Sequence, residues 1–303
     1  MISVCIPIHN YNVLPLSESI ISQAKCSNCD VELVCIDDGS AQDYVEHNRP
    51  VEGMGQYIVL EHNVGRAAVR NLFLKYANGS HLIFLDDDCI VPEGFIERYR
   101  AAAAANPAVV VGGRLYDDRF DDREHRLRYK YGTNVECRNA TERSRDPHRS
   151  FMSNNFMIRR DVLQSVLFDD RLKGYGHEDT LFGFRLWQQN IPILHIDNPV
   201  TNGDVEDNAL FLSKTEEAVR SLAQIYTMTG SDKDFCHSVR LLRIHSIAEP
   251  VDWLLLAAFK CSRRILRNAL ANGKCTSLPL FNFYKLGLLI ECLTHGAPAS
   301  GEQ

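Results

Sequence analysis

From Ser3 to Val111 short apolar runs alternate with stretches of helical period, and few architectures accept that rhythm. Ser3–Ile8 reads as a strand, Leu16–Gln23 as a helix, Val31–Ile36 as a strand and Tyr57–Glu61 as another. Arg66–Tyr76 has helical period and stops at Asn78-Gly79, a helix-ending pair. His81–Leu85 is again a strand, Pro92 opens a helix over Glu93–Ala105, and Ala108–Val111 follows as a strand. Alternation of this kind predicts an α/β fold, a mostly parallel sheet flanked by helices. Asn155–Ile158, a helix over Thr180–Gln189 and a strand over Ile193–Ile196 resume the pattern further on.

Acidic residues fall directly after two of these strands, Asp37-Asp38 after one and Asp86-Asp87-Asp88 after another. Ligands of parallel sheets bind at the carboxyl ends of strands, so the two clusters should meet in one crevice. The first strand lacks a GxGxxG turn, which removes the dinucleotide fingerprint.

Between Arg114 and Ser150 the chain is dense in Arg, Asp and Glu, with almost no aliphatic period. An insertion of that length inside a domain reads as an active-site loop or lid. From Asn208 onward the pattern is helical, with Phe211, Thr215, Ala218, Leu222 and Ile225 at helical spacing. The expected division is therefore a catalytic domain over 1–207, carrying the charged loop 114–150, and a helical C-terminal extension over 208–303 packing on it. Within 252–270, Lys260, Arg263, Arg264 and Arg267 share a face. Two readings stay open there: a helix lying on an anionic membrane as a peripheral anchor, or a packed helix with a solvated basic side.

A net charge of −6 argues against nucleic acid as a partner. The start, MISVCIPIHNYN, has no basic segment and reads as a strand, not a signal peptide. Ten scattered cysteines, several in apolar runs, look like buried thiols of a reduced compartment. Cys26 and Cys29 form a CxxC, but no second pair follows to complete a zinc site. The expected location is cytoplasmic, at the inner face of the membrane if 252–270 docks there.

Three constellations can carry chemistry. Asp38, at a strand end before Gly39, can present its carboxylate to the N–H edge of a base, although a plain Asp-Gly turn looks the same. Asp86, Asp87 and Asp88 repel one another, and a bound cation is the natural remedy. Asp86 and Asp88 point the same way off an extended chain, so that one can hold a ribose hydroxyl and the other Mg²⁺ or Mn²⁺. Gly174-Tyr-Gly-His-Glu-Asp179 places Glu178 and Asp179 in the first turn of a helix. There they either complement the helix dipole or supply a general base.

Together these residues resemble the inverting glycosyltransferase family 2, including its bacterial polysaccharide-type members. Ser3–Tyr11 is similar to that family's opening strand, which brings Pro7 to the donor site. Asp37-Asp-Gly-Ser40 resembles its nucleotide-binding turn, and Asn63–Asn71 the segment that sets an arginine, here Arg66, near the nucleotide. Asp86-Asp87-Asp88 resembles the DxD motif with Asp88 as metal ligand, and Gly174–Asp179 the GxGxED segment of polymerising members and galactosyltransferases.

The resemblance spans about residues 2–215 and implies the GT-A (nucleotide-diphospho-sugar transferase) fold. It also implies a UDP-sugar or similar donor, a glycan or lipid-linked acceptor, and Mn²⁺ or Mg²⁺ as cofactor. By the same token Asp179 is the base, Glu178 orients the acceptor, and Asn154, Asn155, Gly176 and His177 face the sugars. Many relatives carry a histidine after Asp-Asn-Pro-Val; here the comparable position is Asn202, which leaves the metal shell in doubt. Two rival readings are a nucleotidyltransferase, for which the first strand–helix turn lacks a glycine- and lysine-rich loop, and a silent sugar-nucleotide-binding subunit.

Overall fold

Among the described residues ten strands form where short apolar runs end in polar turns: β1 Ile2–Ile8, β2 Val31–Asp37, β3 Gln56–Val59, β4 His81–Leu85, β5 Cys89–Ile90, β6 Val109–Val111, β7 Arg114–Tyr116, β8 Asn155–Arg159, β9 Ile193–His195 and β10 Val200–Asn202. They come from a computed structural model that describes residues 1–172 and 174–295. Seven of them make one sheet in the order β3-β2-β1-β4-β8-β6-β9. All neighbours are parallel except β8, which runs antiparallel to both β4 and β6. The α/β architecture with a mostly parallel sheet is thus as the strand–helix rhythm implies.

The central strands read as unbroken apolar runs because helices cover both faces. Val4, Ile6, Ile8, Leu33, Cys35, Ile83, Leu85 and Met157 are buried in one cluster with Leu16, Ile20, Phe95 and Tyr99 from helices. On β4 and β8, Phe84 stacks on Phe156 at 4.9 Å, and Phe73 meets Phe84 edge-on at 5.5 Å.

Departures from the sequence reading have local causes. β3 starts and ends earlier than Tyr57–Glu61. The helix expected from Glu93 begins at Phe95, because Gly94 before it holds a left-handed φ of 71°. Three strands escaped the reading altogether: β5, β7 and β10, of two or three residues each, form a second sheet in the order β5-β10-β7.

Among the described residues the chain partitions into two compact units: 1–117, 137–172 and 185–204, and then 118–136, 174–184 and 205–295. Most of the charged stretch from 118 to 136 therefore folds with the C-terminal helices. Asn208 is the reason, since its side chain accepts from the Leu127 N–H and donates to the Arg123 carbonyl, both at 2.8 Å. Arg128 adds pairs with Glu136 and Glu206 at 3.2 Å. In this second unit the helices Asn208–Met228, Asp252–Ala271 and Leu278–His295 pack together around Phe259, Leu222 and Tyr284. Glu216 ties them by accepting from Tyr284 at 2.6 Å and Arg267 at 2.9 Å. No helix among the described residues is long and apolar enough to cross a membrane.

In the first unit Arg143 is nearly inaccessible and donates to the carbonyls of Val111, Gly112, Arg138 and Ile196. It also donates to His195 Nδ1 at 2.8 Å, which leaves Nε2–H of that imidazole for the Pro147 carbonyl at 3.0 Å. Burial, with Arg143 and His148 nearby, pushes the His195 pKa down to about 4. The unfolded chain, with an ordinary value of 6.5, binds a proton that the folded chain refuses. The resulting stabilisation is complete above pH 6.5 and is lost as pH falls towards 4. Urea midpoints should decline across that window and decline less steeply in His195→Gln; an unchanged pH slope in the variant would show that His195 is not the titrating group.

Candidate active site

β1 lies between β2 and β4 and is parallel to both, so the three strands deliver their carboxyl ends to one edge. Pro7 is the penultimate residue of β1, in register with Ile36. His9, the first residue past β1, joins the two acidic clusters. Its N–H donates to Asp87 at 3.0 Å, and its Nδ1 donates to the Asp38 carbonyl at 3.0 Å. Asp38 and the 86–88 triplet therefore meet through His9, which bonds both.

The Asp38 carboxylate is buried and accepts from the backbone N–H groups of Val64 (2.7 Å) and Gly65 (3.1 Å). These bonds fix the loop that leads into the helix Arg66–Tyr76. Gly39 lets this loop pass: a Cβ there would lie 2.6 Å from the Asn63 nitrogen. The helix then sends two guanidinium groups to Asp86. Arg70, wholly buried, bonds one oxygen at 2.7 Å, and Arg66 reaches the other at 3.3 Å. Burial pushes the Asp86 carboxyl up, but Arg70, Arg66 and Arg114 outweigh it and hold the group below its usual range. At Asp87 burial, with the charge of Asp86 adding to it, outweighs the His9 N–H and Arg66 and raises the carboxyl to about 6.

Asp88 opens the three-stranded sheet. Its carbonyl accepts from Gly203 N–H at 2.7 Å, and its carboxylate lies 3.4 Å from the side-chain nitrogen of Asn202. The Asn202 oxygen accepts from Arg114 at 2.6 Å. Among the described residues no group of three His, Cys, Asp or Glu is placed to hold a metal.

Asn154 and Asn155 behave differently from each other. Asn155 is tied into the scaffold by Tyr99 (2.7 Å) and by the carbonyls of Gly113 and Asn198 (2.8 and 2.9 Å). Asn154 is buried with no partner for either side-chain polar atom, while its carbonyl accepts from the Asp86 N–H at 3.1 Å. A buried amide left unbonded is costly, and a ligand that completes it is a physical explanation.

Gly176, His177, Glu178 and Asp179 belong to the second unit. Tyr175 N–H donates to Glu217 at 2.8 Å, and the Tyr175 carbonyl accepts from Ser221 at 3.0 Å. His177 holds a left-handed φ of 65° just before the helix Glu178–Gln188. Burial, with Lys285 adding to it, brings its imidazole down to about 4. Asp179 accepts from the Thr180 N–H at 2.6 Å in that first turn.

A sequence profile described as Glycosyl transferase family 2 matches residues 3–167, more than half of the chain. The chain belongs to that family. The uncharacterised glycosyltransferase EpsJ of Bacillus subtilis is 26% identical over 133 residues, covering 41% of this chain and 37% of that protein. An uncharacterised glycosyltransferase of Haemophilus influenzae is 29% identical over 116 residues, 37% of this chain and 46% of that one. The chain thus spans less than half the length of either relative.

Two solved glycosyltransferases share the GT-A fold. The mannosyltransferase PcManGT of Pyrobaculum calidifontis, in complex with GDP-Man and Mn²⁺, has a TM-score of 0.61 at 14% identity, over 97% of this chain and 85% of that one. Glucosyl-3-phosphoglycerate synthase of Mycobacterium tuberculosis, with Mg²⁺ and UDP, has a TM-score of 0.51 at 13% identity, over 76% and 79%.

His9, Arg70 and Arg114 were not singled out from the sequence. Arg70 had a signal, since it stands four residues after Arg66 and so shares its helix face. As the buried partner of Asp86, Arg70 is expected to matter to folding. Arg70→Met should destabilise the protein by about 3 kcal/mol in urea unfolding, because it strands a buried charge. Adding Asp86→Asn should recover part of that loss; a strictly additive double variant would mean that the pair is not coupled.

Proposed function

We propose that this family 2 member is an inverting transferase. It moves a hexosyl or N-acetylhexosaminyl group from a nucleotide-diphosphate sugar, best a UDP-sugar, to a hydroxyl of a glycan or lipid-linked saccharide. The observation that carries this reading is the hydrogen-bonded meeting, through His9, of Asp38 with the 86–88 triplet at the ends of adjacent parallel strands. Nucleotides bind at such edges. The PcManGT complex with GDP-Man and Mn²⁺ supports the donor class.

In this reading Asp38 and Arg66 face the base and the nucleotide, beside Pro7. Asp86 is committed to its two arginines, so Asp87 is the carboxylate for a ribose hydroxyl. The unbonded amide of Asn154 meets the donor sugar, while Asn155 holds the scaffold beneath it. Asp88 is the protein's ligand for Mn²⁺ or Mg²⁺. One carboxylate with substrate phosphates and waters is a sufficient set for such a hard ion, which needs no dedicated cage. Asn202 stays outside that shell, since its oxygen is held by Arg114. When bound, the metal offsets the charge of the departing diphosphate. Arg114 adds a standing positive charge beside the same carboxylates.

Asp179 is the base. It takes the proton of the acceptor hydroxyl as the oxygen bonds to the anomeric carbon, and the bond from that carbon to the diphosphate breaks. Glu178, Gly176 and His177 shape the acceptor's surroundings. The support is the Gly174–Asp179 motif, with two acids in a helix's first turn.

A donor screen that reads released nucleotide diphosphate tests the whole reading. With the active donor, Asp179→Asn should lower kcat by roughly 10²–10⁴-fold and leave nucleotide affinity within about twofold. Equal turnover in both proteins would remove Asp179 as the base. Mn²⁺ titrated in the presence of the nucleoside diphosphate should bind at least about tenfold more weakly to Asp88→Asn, whereas Asn202→Ala should bind nearly as the wild type does. Loss of binding in Asn202→Ala would place that amide in the metal shell after all.

A further inference from the structure

The second unit carries an exposed apolar surface that includes none of the residues assigned above to the transfer reaction. In the helix Asp252–Ala271 the inner face is Phe259, Leu266 and Leu270, all buried. Two of the basic residues also turn inward: Arg263 pairs with Glu291 at 2.8 Å and Arg267 with Glu216 at 2.9 Å. The basic face read from the sequence is thus split by the packing.

What remains outside is two adjacent stripes at helical spacing. One is Trp253, Ala257, Lys260 and Arg264; the other is Leu254, Ala258, Cys261 and Ile265, and every one of these eight residues is exposed. Trp253 is 73% exposed and Ile265 76%, and in the preceding helical segments Ile247 is 76% and Val251 45% exposed. Single exposed apolar residues are ordinary, but a concentration of this kind marks a contact surface.

The charge of the region says what covers it. With Arg263 and Arg267 paired inside the bundle, residues 240–271 expose Arg240, Arg243, Lys260 and Arg264 against Glu249, in a chain whose net charge is −6. The other acid of the segment, Asp252, is half-buried and engaged by His245 at 3.0 Å. Lys260 and Arg264 lie within the apolar stripes, and Arg240 and Arg243 are exposed on the helix Arg240–Ala248 just before. A second copy of the same face would bring like charges together. An anionic lipid surface matches both components, apolar side chains for the acyl boundary and cations for the headgroups. Tryptophan, apolar with a polar N–H, favours that interface.

We propose that the outer face of residues 240–271, centred on Trp253, Leu254, Lys260, Arg264 and Ile265, docks the protein on anionic membrane surfaces as an interfacial helix. This inference is independent of the donor, base and metal assignments above.

The chain contains two tryptophans, so Trp187→Phe leaves Trp253 as the sole reporter. The full-length variant is mixed with phosphatidylcholine vesicles, with or without 30 mole per cent phosphatidylglycerol as an assay condition of roughly the anionic content at which surface charge attracts basic segments. Co-sedimentation and a blue shift of Trp253 emission are expected only with the anionic vesicles. Lys260→Gln with Arg264→Gln should weaken partitioning roughly thirtyfold, and Ile265→Ser by roughly tenfold. Both change exposed side chains, and circular dichroism confirms their folding. Three results would overturn the proposal: no binding to anionic vesicles, equal binding to neutral ones, or concentration-dependent dimers abolished by Ile265→Ser in a protein that ignores vesicles.

Discussion

A carboxylate at the end of a buried strand must be neutralised, and for Asp86 the wholly buried Arg70 does it. The rest of the candidate site depends on that pair. Arg70 reaches Asp86 only because the helix Arg66–Tyr76 begins where it does, and the start of that helix is fixed by Asp38 accepting from Val64 and Gly65. Asp38 can act there only because β2 ends beside β1, with His9 bridging onward to Asp87. The two acidic clusters are thus held by each other's scaffolding. With Asp86 compensated by its arginines, burial keeps Asp87 easier to protonate than its neighbour.

The orientation of the site toward one edge follows from the sheet order. Strands β1, β2, β3 and β4 are parallel, so their turns collect at one end, and β8 enters between β4 and β6 in the opposite sense. That reversal starts β8 next to the end of β4. It sets the Asn154 carbonyl on the Asp86 N–H and leaves the Asn154 side chain unbonded nearby. Family membership and the GT-A fold explain why this arrangement exists. The hydrogen bonds explain how it stands up.

Much of this was legible in the residues. Long apolar runs such as His81–Leu85, and the strongly periodic Arg66–Tyr76, coincide with the observed elements because local pattern and tertiary packing agree there. The convergence of Asp38 with the 86–88 triplet was legible from the place of both clusters directly after strands of a parallel sheet. The three-stranded sheet was not, because strands of two or three residues have no measurable period. Arg114 went unnoticed for the same reason, being the first residue of one of those strands. The fate of 118–136 was equally hidden, since charged side chains such as Arg128 carry no mark of which partner they will find. The basic residues of 252–270 shared a face on paper, yet two of the four found acids inside the bundle.

The chain of contacts from Arg114 through Asn202 to Asp88 bears on how such a site can change over time. Asn202 accepts from the guanidinium with its oxygen and turns its nitrogen toward Asp88, so it suits both neighbours at once. A histidine at 202 that coordinated a metal would use up its lone pair and leave Arg114 without that acceptor, with two cations side by side. Exchanging Arg114 alone would deprive the acidic triplet of a positive charge. Positions 114 and 202 share one contact, so substitutions at the two are expected to be non-additive, and the exchange of amide for imidazole at 202 to be easier when 114 changes with it.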